Sequence, residues 1–280
     1  MSDDTPSDAP TLPYAEVIGD PIAHSKSPLI HGFWLEKLEI EAEYRKTHVK
    51  HDELAAYFLK RQADKDWLGC NVTIPHKIAV MDYVSDPSRV GALIGAMNTV
   101  ACETGGPLIG TNTDAGGFLA PLRTLKWKGD SAVLIGAGGA ARAVLFALGQ
   151  IGVTKITIMA RDSAKAQALL DLAGMKGAII GMNEPLPPAD LVVNCSPLGM
   201  AGQPPLSLDL SPLPDSAAVY DIVYVPLDTE LLVNARARGL RTIDGLEMLI
   251  GQAALAFEIF FDAEAPRDHD AELRALLTAA

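Results

Sequence analysis

At 280 residues and 49% hydrophobic composition, the chain can bury one large core or two modest ones. A formal charge of −12 argues against a nucleic-acid partner, because a phosphate backbone needs a basic surface. No apolar run approaches membrane-spanning length, so a membrane partner is not expected either.

Residues 1–13, "MSDDTPSDAPTLP", have neither the basic region nor the apolar stretch of a signal peptide. They read as a disordered acidic tail. "YAEVIG" then reads as a strand, "SPLIHGFWLEKL" as a helix and "AEYRKTHV" as a half-exposed strand. "DELAAYFLKRQ" is a second helix, and "WLGCNVTI" is a buried strand ended by Pro75. This β-α-β-α-β order predicts a largely parallel sheet covered by helices. "MNTVACETGGPLIGT" follows as a hairpin turning through Thr104, Gly105, Gly106 and Pro107. A second βαβ series opens near Ser131 with "AVLIG", "GAARAVLFALGQIG" and "KITIMAR" and alternates on to "LRTID". A long helix, "GLEMLIGQAALAFEIFF", and a short one, "DHDAELRALLTA", close the chain. The fold class is α/β, with two domains meeting near residues 112–118. Cys70, Cys102 and Cys195 are scattered without metal-ligand or disulfide spacing and read as reduced core residues, which fits a cytoplasmic protein.

"VLIGAGGAARAVLFAL" holds Gly136-x-Gly138-x-x-Ala141 between an apolar strand and an apolar helix. Gly136 permits a tight turn, Gly138 lets backbone approach a pyrophosphate, and Ala141 allows close helix packing. The helix N-terminus would attract the phosphates, so Ala137, Gly139 and Ala140 join the candidate dinucleotide loop. Arg161 lies 25 residues after Gly136, near the ribose-reading position about 20 residues on. Arginine there, with Lys165, suits the 2′-phosphate of NADP, whereas an acid would favour NAD, and Asp162 pulls that way. S-adenosylmethionine is a third ligand compatible with the loop.

Polar residues cluster at strand and helix ends. Asn71, Thr73 and Lys77 fall at the carboxyl end of "WLGCNVTI", where α/β folds place their chemistry. Ser27 before Pro28 reads as a helix N-cap, and with Ser25 it also forms a carboxylate site at a helix N-terminus. His24 and His31 read as ordinary polar or packing residues. Asp114 taken alone reads as an N-cap or Asx turn. Gly245, Met248 and Gln252 share one face of the long late helix, a face suited to nicotinamide and substrate.

"GDPIAHSKSP", "GCNVTIPHK", "GAMNTV", "GTNTD", "IGAGGAARAV", "NCSPLGM", "YDIVY" and "GLEMLIGQA" resemble, in this order and spacing, the shikimate dehydrogenases. The resemblance runs from about Val17 to Phe261. It implies a substrate-binding domain of residues 14–113 plus 245–280 and a Rossmann-type NADP-binding domain of residues 114–244. The implied activity is reversible, NADPH-dependent reduction of 3-dehydroshikimate to shikimate, without a metal, by a monomer or homodimer. The family's carboxylate-binding serines match Ser25 and Ser27, its ring-hydroxyl ligands match Thr73, Lys77, Asn98 and Asp114, and Gln252 and Tyr224 complete the substrate set. Its catalytic pair falls on Lys77 and Asp114, with Lys77 as proton donor and Asp114 orienting it. Two departures stand out: Ala160-Arg161-Asp162 replaces the common Asn-Arg-Thr, and Ala115 rather than glycine follows Asp114, which reads as a minor hinge change. The competing readings are an NAD-preferring quinate/shikimate dehydrogenase and a non-enzymatic nucleotide-sensing module.

Overall fold

A computed structural model describes residues 12–102 and 106–279. The expected disordered tail falls almost wholly outside them, as do Thr104 and Gly105 of the expected turn.

The first sheet contains β1 (Tyr14–Gly19), β2 (Glu43–His48), β3 (Trp67–Val72), β4 (Thr99–Cys102) and β5 (Leu108–Thr111) in the order β2-β1-β3-β4-β5. The first three strands are parallel, and β3, β4 and β5 pair antiparallel. Helices α1 (Ser27–Lys37), α2 (Leu54–Gln62) and α3 (Val90–Ile94) connect them. β3 stops at Val72, two residues short of the sequence reading. The Thr73 amide still donates to the Ile18 carbonyl at 2.9 Å, but Pro75 has no amide to continue and His76 turns back to the Thr73 carbonyl.

After α4 (Asp114–Thr124) comes the second sheet, entirely parallel. It contains β6 (Ser131–Ile135), β7 (Lys155–Met159), β8 (Gly177–Ile180), β9 (Leu191–Asn194), β10 (Ala218–Asp221) and β11 (Arg241–Ile243) in the order β11-β10-β9-β6-β7-β8. Helices α5 (Gly139–Gln150), α6 (Ser163–Ala173) and α7 (Glu230–Ala237) flank it. Strand order reverses beside β6, so a crevice opens beyond the ends of β6 and β9, where doubly wound sheets bind ligands.

The last helices are α8 (Gly245–Phe261) and α9 (Asp270–Ala279). Their Phe257, Phe260 and Leu273 bury against Ile30 and Trp34 of α1, so the chain returns to the first sheet after finishing the second. Met248 instead joins the core of the second sheet with Phe118 and Leu119 of α4. α4 and α8 therefore cross between the two halves, and they touch backbone to backbone. A Cβ on Gly117 would lie 2.5 Å from the Gln252 nitrogen, and one on Gly251 would lie 3.0 Å from the Gly117 Cα. The stretch after Asp114 is thus a helix contact rather than a hinge: Ala115 is buried in the core, and Gly117 is where the side chain must be absent.

Behind the first sheet, His31 on α1 is fully buried, stacked on Tyr44 with centroids 3.9 Å apart and planes 4° apart. Neither ring nitrogen has a hydrogen-bond partner among the described residues. Burial alone pulls its pKa from 6.5 to about 3. The unfolded chain therefore takes up a proton below about pH 6.5, while the folded chain resists until about pH 3. Stability contributed by this site is fully present above pH 6.5 and is lost as pH falls, at up to about 1.4 kcal/mol per pH unit. His31→Phe should show a shallower loss of stability than the wild type in urea unfolding between pH 7 and pH 5. Parallel curves would mean that His31 finds a partner for its proton.

Candidate active site

One cleft of about 510 Å³ lies between the carboxyl end of the first sheet and α8. Ser25, Ser27, Thr73 and Tyr224 line it, as do Lys77, Asn98 and Asp114. Gly245, Met248 and Gln252 line the same cleft from α8, so the helix face read from the sequence does point inward. The ten positions come from six separate stretches of chain.

The local geometry corrects two capping expectations. Ser27 is the first residue of α1 rather than its cap, and its hydroxyl caps no amide of the helix. The Ser25 hydroxyl instead accepts the Ser27 N–H at 3.3 Å, because the chain turns one residue earlier than the Ser-Pro pair implies. Ser27 keeps its hydroxyl for other partners. Lys26, between the two serines, donates to the Leu277 carbonyl at 2.7 Å and ties the loop to α9. Asp114 likewise is the first residue of α4, preceded by Thr113 at the cap position. The Asx turn belongs to Asn112, whose side-chain oxygen accepts the Asp114 N–H at 3.0 Å.

With its capping role removed, the Asp114 carboxylate has two side-chain donors. Lys77 Nζ donates to Oδ2 at 2.5 Å, and Asn98 Nδ2 donates to Oδ1 at 2.9 Å. Asp114 is buried, and the first turn of α4 favours its negative charge. Lys77 is half-buried, leaving its ammonium open to the cleft on the side away from Asp114. Asn98 Nδ2 also reaches Gln252 Oε1 at 3.4 Å, while Gln252 Nε2 donates to the Leu249 carbonyl at 2.9 Å. The result is a fixed cation and fixed amides facing one small volume. Such a site suits a polyhydroxylated ring with one carbonyl oxygen near Lys77. Tyr224 keeps its proton, since burial raises its phenol above the ordinary value, and it remains a donor.

The dinucleotide loop follows β6. Gly136 has φ +97° and an added Cβ would lie 3.0 Å from Ser196, so glycine is required there by conformation and by the neighbouring loop. At Gly138 and Gly139 an added Cβ would meet nothing within 4 Å. The bare backbone there serves no packing purpose within the chain; it leaves open space at the N-terminus of α5, as a pyrophosphate requires. Ala137 and Ala140 complete this loop, and Ala141 is fully buried under the sheet, the close-packing role its motif position implies. Gly245 has a packing reason of its own, since a Cβ would lie 2.3 Å from the Ile222 carbonyl oxygen.

Arg161 follows β7, is exposed, and makes no hydrogen bond or ion pair with another described residue. Asp162 is spent locally: its Oδ1 caps α6 by accepting the Lys165 N–H at 3.0 Å, with Lys165 Nζ 3.8 Å from its other oxygen. The acid that pulls the cofactor reading towards NAD is therefore a helix cap.

Sequence reasoning left several site residues without a role. Asn71 stands out as a polar residue inside an apolar strand, and it lines the cleft. Thr99, Asn112 and Thr113 form the layer beneath. Asn194 and Asp221 end β9 and β10, joined at 2.9 Å, and Asp221 also accepts the Val223 amide at 3.0 Å and the Thr229 hydroxyl at 2.7 Å. These bonds hold the loops that carry Met200 and Tyr224 to the cleft.

Residues 17–100 match the family described as the shikimate dehydrogenase substrate binding domain, and residues 119–197 match shikimate / quinate 5-dehydrogenase. Residues 245–272 match the shikimate 5'-dehydrogenase C-terminal domain. A shikimate dehydrogenase (NADP(+)) of Sphingopyxis alaskensis is 61% identical over 267 residues, covering 95% of this chain and 97% of the relative. Among solved structures, the shikimate 5-dehydrogenase of Thermus thermophilus, in complex with NADP(H) and shikimate, is 34% identical at a TM-score of 0.81, covering 94% of this chain and 98% of its own. The 5-ketofructose reductase of Gluconobacter superposes with a TM-score of 0.88 at 30% identity, covering 96% and 99%. With identity at this level over nearly the whole chain, and with the cleft and the dinucleotide loop that its motifs imply, the protein belongs to the shikimate dehydrogenase family.

Proposed function

We propose that this chain is an NADP-dependent enzyme interconverting shikimate and 3-dehydroshikimate. The observation that carries the proposal is the Lys77–Asp114 ion pair, held at 2.5 Å in a cleft that Ser25 and Ser27, at the start of α1, also line. A ring carrying one carboxylate and several hydroxyls matches that distribution of donors.

With NADPH bound beside the cleft, the chemistry available would be hydride transfer to the ring carbonyl carbon. The residues of the chain manage the oxygen. Lys77 Nζ polarises the carbonyl and delivers a proton to the oxygen as it becomes a hydroxyl; in the oxidative direction the same nitrogen takes it back. Asp114 fixes the ammonium and accepts from a neighbouring ring hydroxyl. Asn98 and Gln252 hold the ring face, while Ser25, Ser27 and Tyr224 donate to the carboxylate. Thr73 closes the side of the cleft next to Lys77. The Gly136–Ala141 loop would hold the pyrophosphate, Arg161 and Lys165 the 2′-phosphate, and Gly245 and Met248 the nicotinamide end.

In this reading residues 14–113 and 245–280 form the substrate half and residues 114–244 the dinucleotide half, with α4 passing between them. The proposed setting is the cytoplasm, as a monomer or homodimer without nucleic-acid or membrane partners. Among the described residues no helix is long and apolar enough to cross a membrane.

The structural likeness to a 5-ketofructose reductase gives the second reading, a neutral ketose as substrate. A neutral sugar has no carboxylate to use the paired serines at a helix N-terminus, which is why shikimate is preferred. Steady-state assays crossing shikimate, quinate and 5-ketofructose with NADP(H) and NAD(H) decide the matter. Highest kcat/KM for shikimate with NADP⁺ is the expected result, and a preference for 5-ketofructose or quinate would overturn the substrate assignment.

A further inference from the structure

Tyr44 lies on β2, behind the cleft rather than in its lining, and its hydroxyl donates to Asn71 Oδ1 at 2.5 Å. Desolvation holds the phenol in its protonated form, so this oxygen must be the donor in that bond. The Asn71 amide is thereby oriented, with Nδ2 donating to the Asn98 carbonyl at 3.3 Å and to Thr99 Oγ1 at 3.1 Å. Thr99 Oγ1, having accepted, donates to Asn98 Oδ1 at 3.0 Å, and the Thr113 N–H donates to the same oxygen at 2.7 Å. Asn98 Nδ2 is then left facing Asp114 Oδ1. Every amide in the chain from Tyr44 to Lys77 has one permitted orientation. One turn along α1 from Ser27, His31 stacks on the Tyr44 ring and fixes its plane.

We infer that Tyr44 is a positioning residue: its hydroxyl fixes the Asn71 amide and, through it, the Asn98–Asp114 side of the cleft. Without that hydroxyl, Asn71 Oδ1 is buried with no donor, and its amide turns over to present the wrong group to Asn98 and to the cleft. Substrate binding suffers, while the dinucleotide loop, on the other sheet, is untouched.

The kinetic readout rests on the proposed shikimate activity. Tyr44→Phe keeps the ring and its stack on His31 and removes only the hydroxyl. It should raise KM for shikimate about 10-fold, the scale of one lost buried hydrogen bond, with a smaller effect on kcat and no change in KM for NADP⁺. Because Tyr44 acts through Asn71, Asn71→Ser combined with Tyr44→Phe should be no worse than Asn71→Ser alone. An unchanged shikimate KM, equal increases for both substrates, or multiplicative losses in the double variant would each overturn the inference. Wild type that fails to turn over shikimate would strike the substrate assignment instead. The Tyr44–Asn71 coupling is then read from urea unfolding of the same four proteins, where additive stability losses overturn it.

Discussion

Lys77→Ala lowers kcat for shikimate oxidation by at least about 100-fold, the usual scale for a positioned proton-transfer group, with a much smaller change in KM. The asymmetry follows from what the side chain does in each state. In the ground state a ring hydroxyl near Lys77 keeps Asp114, Asn98 and Gln252 as partners, so binding loses one contact among several. In the transition state the proton leaving that hydroxyl loses the basic nitrogen placed to take it, and a carboxylate such as Asp114, a far weaker base than an amine, is a poor substitute. Folding should be little affected. The backbone of Lys77 is held by the Met97 amide at 2.7 Å whatever the side chain, and the ammonium is partly solvated. A variant with near-normal kcat would remove Lys77 from the chemistry, and a rise in KM as large as the fall in kcat/KM would make it a binding residue only.

Lys77 and Asp114 were visible in the sequence for different reasons, and the difference says what sequence can carry. Lys77 sits five residues past the end of a strand whose apolar run is unmistakable, and α/β folds put chemistry at strand ends. The second sheet was legible for a similar reason: "AVLIG" is an almost continuous buried run, "KITIM" buries Ile156, Ile158 and Met159, and such apolar, β-branched runs read as strands without help. Asp114, by contrast, looks like any acid at a helix start, and only the resemblance to a family lifted it above a cap. The cap reading failed because Asn112 took the turn, a choice between neighbours that local propensity does not make. Ser27 failed in the same way by one residue. Tyr44 was not legible at all. Its bond to Asn71 joins residues 27 apart on non-adjacent strands of one sheet, and the half-exposed pattern of β2 gives no sign that one residue on it reaches under the cleft. The α4–α8 contact is a further case, since only the folded chain brings Gly117 against Gln252. What stays hidden is long-range and polar; what reads through is apolar and periodic.

Arg161→Ala raises KM for NADP⁺ by roughly 10- to 150-fold and leaves NAD⁺ nearly unaffected, because a charge-assisted bidentate bond contributes about 1.5–3 kcal/mol and NAD⁺ has no 2′-phosphate to receive it. The exposed guanidinium, without a partner among the described residues, has no ion pair to break before it meets a phosphate. Asp162 enters as a modest opposing charge rather than a ribose ligand. Its Oδ1 is engaged with the Lys165 N–H, and its other oxygen lies 3.8 Å from Lys165 Nζ, so part of the repulsion it exerts on a phosphate is already offset. Asp162→Thr keeps a capping oxygen, frees Lys165 and removes one negative charge. It should shift kcat/KM further towards NADP⁺, by less than Arg161→Ala shifts it away, and it should cost little stability. Measuring kcat/KM with both cofactors in the two variants separates three cases. Loss confined to NADP⁺ in Arg161→Ala supports the phosphate clamp. Equal loss for both cofactors makes Arg161 a residue that packs on the adenine they share. A gain for NAD⁺ on Asp162→Thr would mean that the acid opposes both cofactors alike and takes no part in choosing between them.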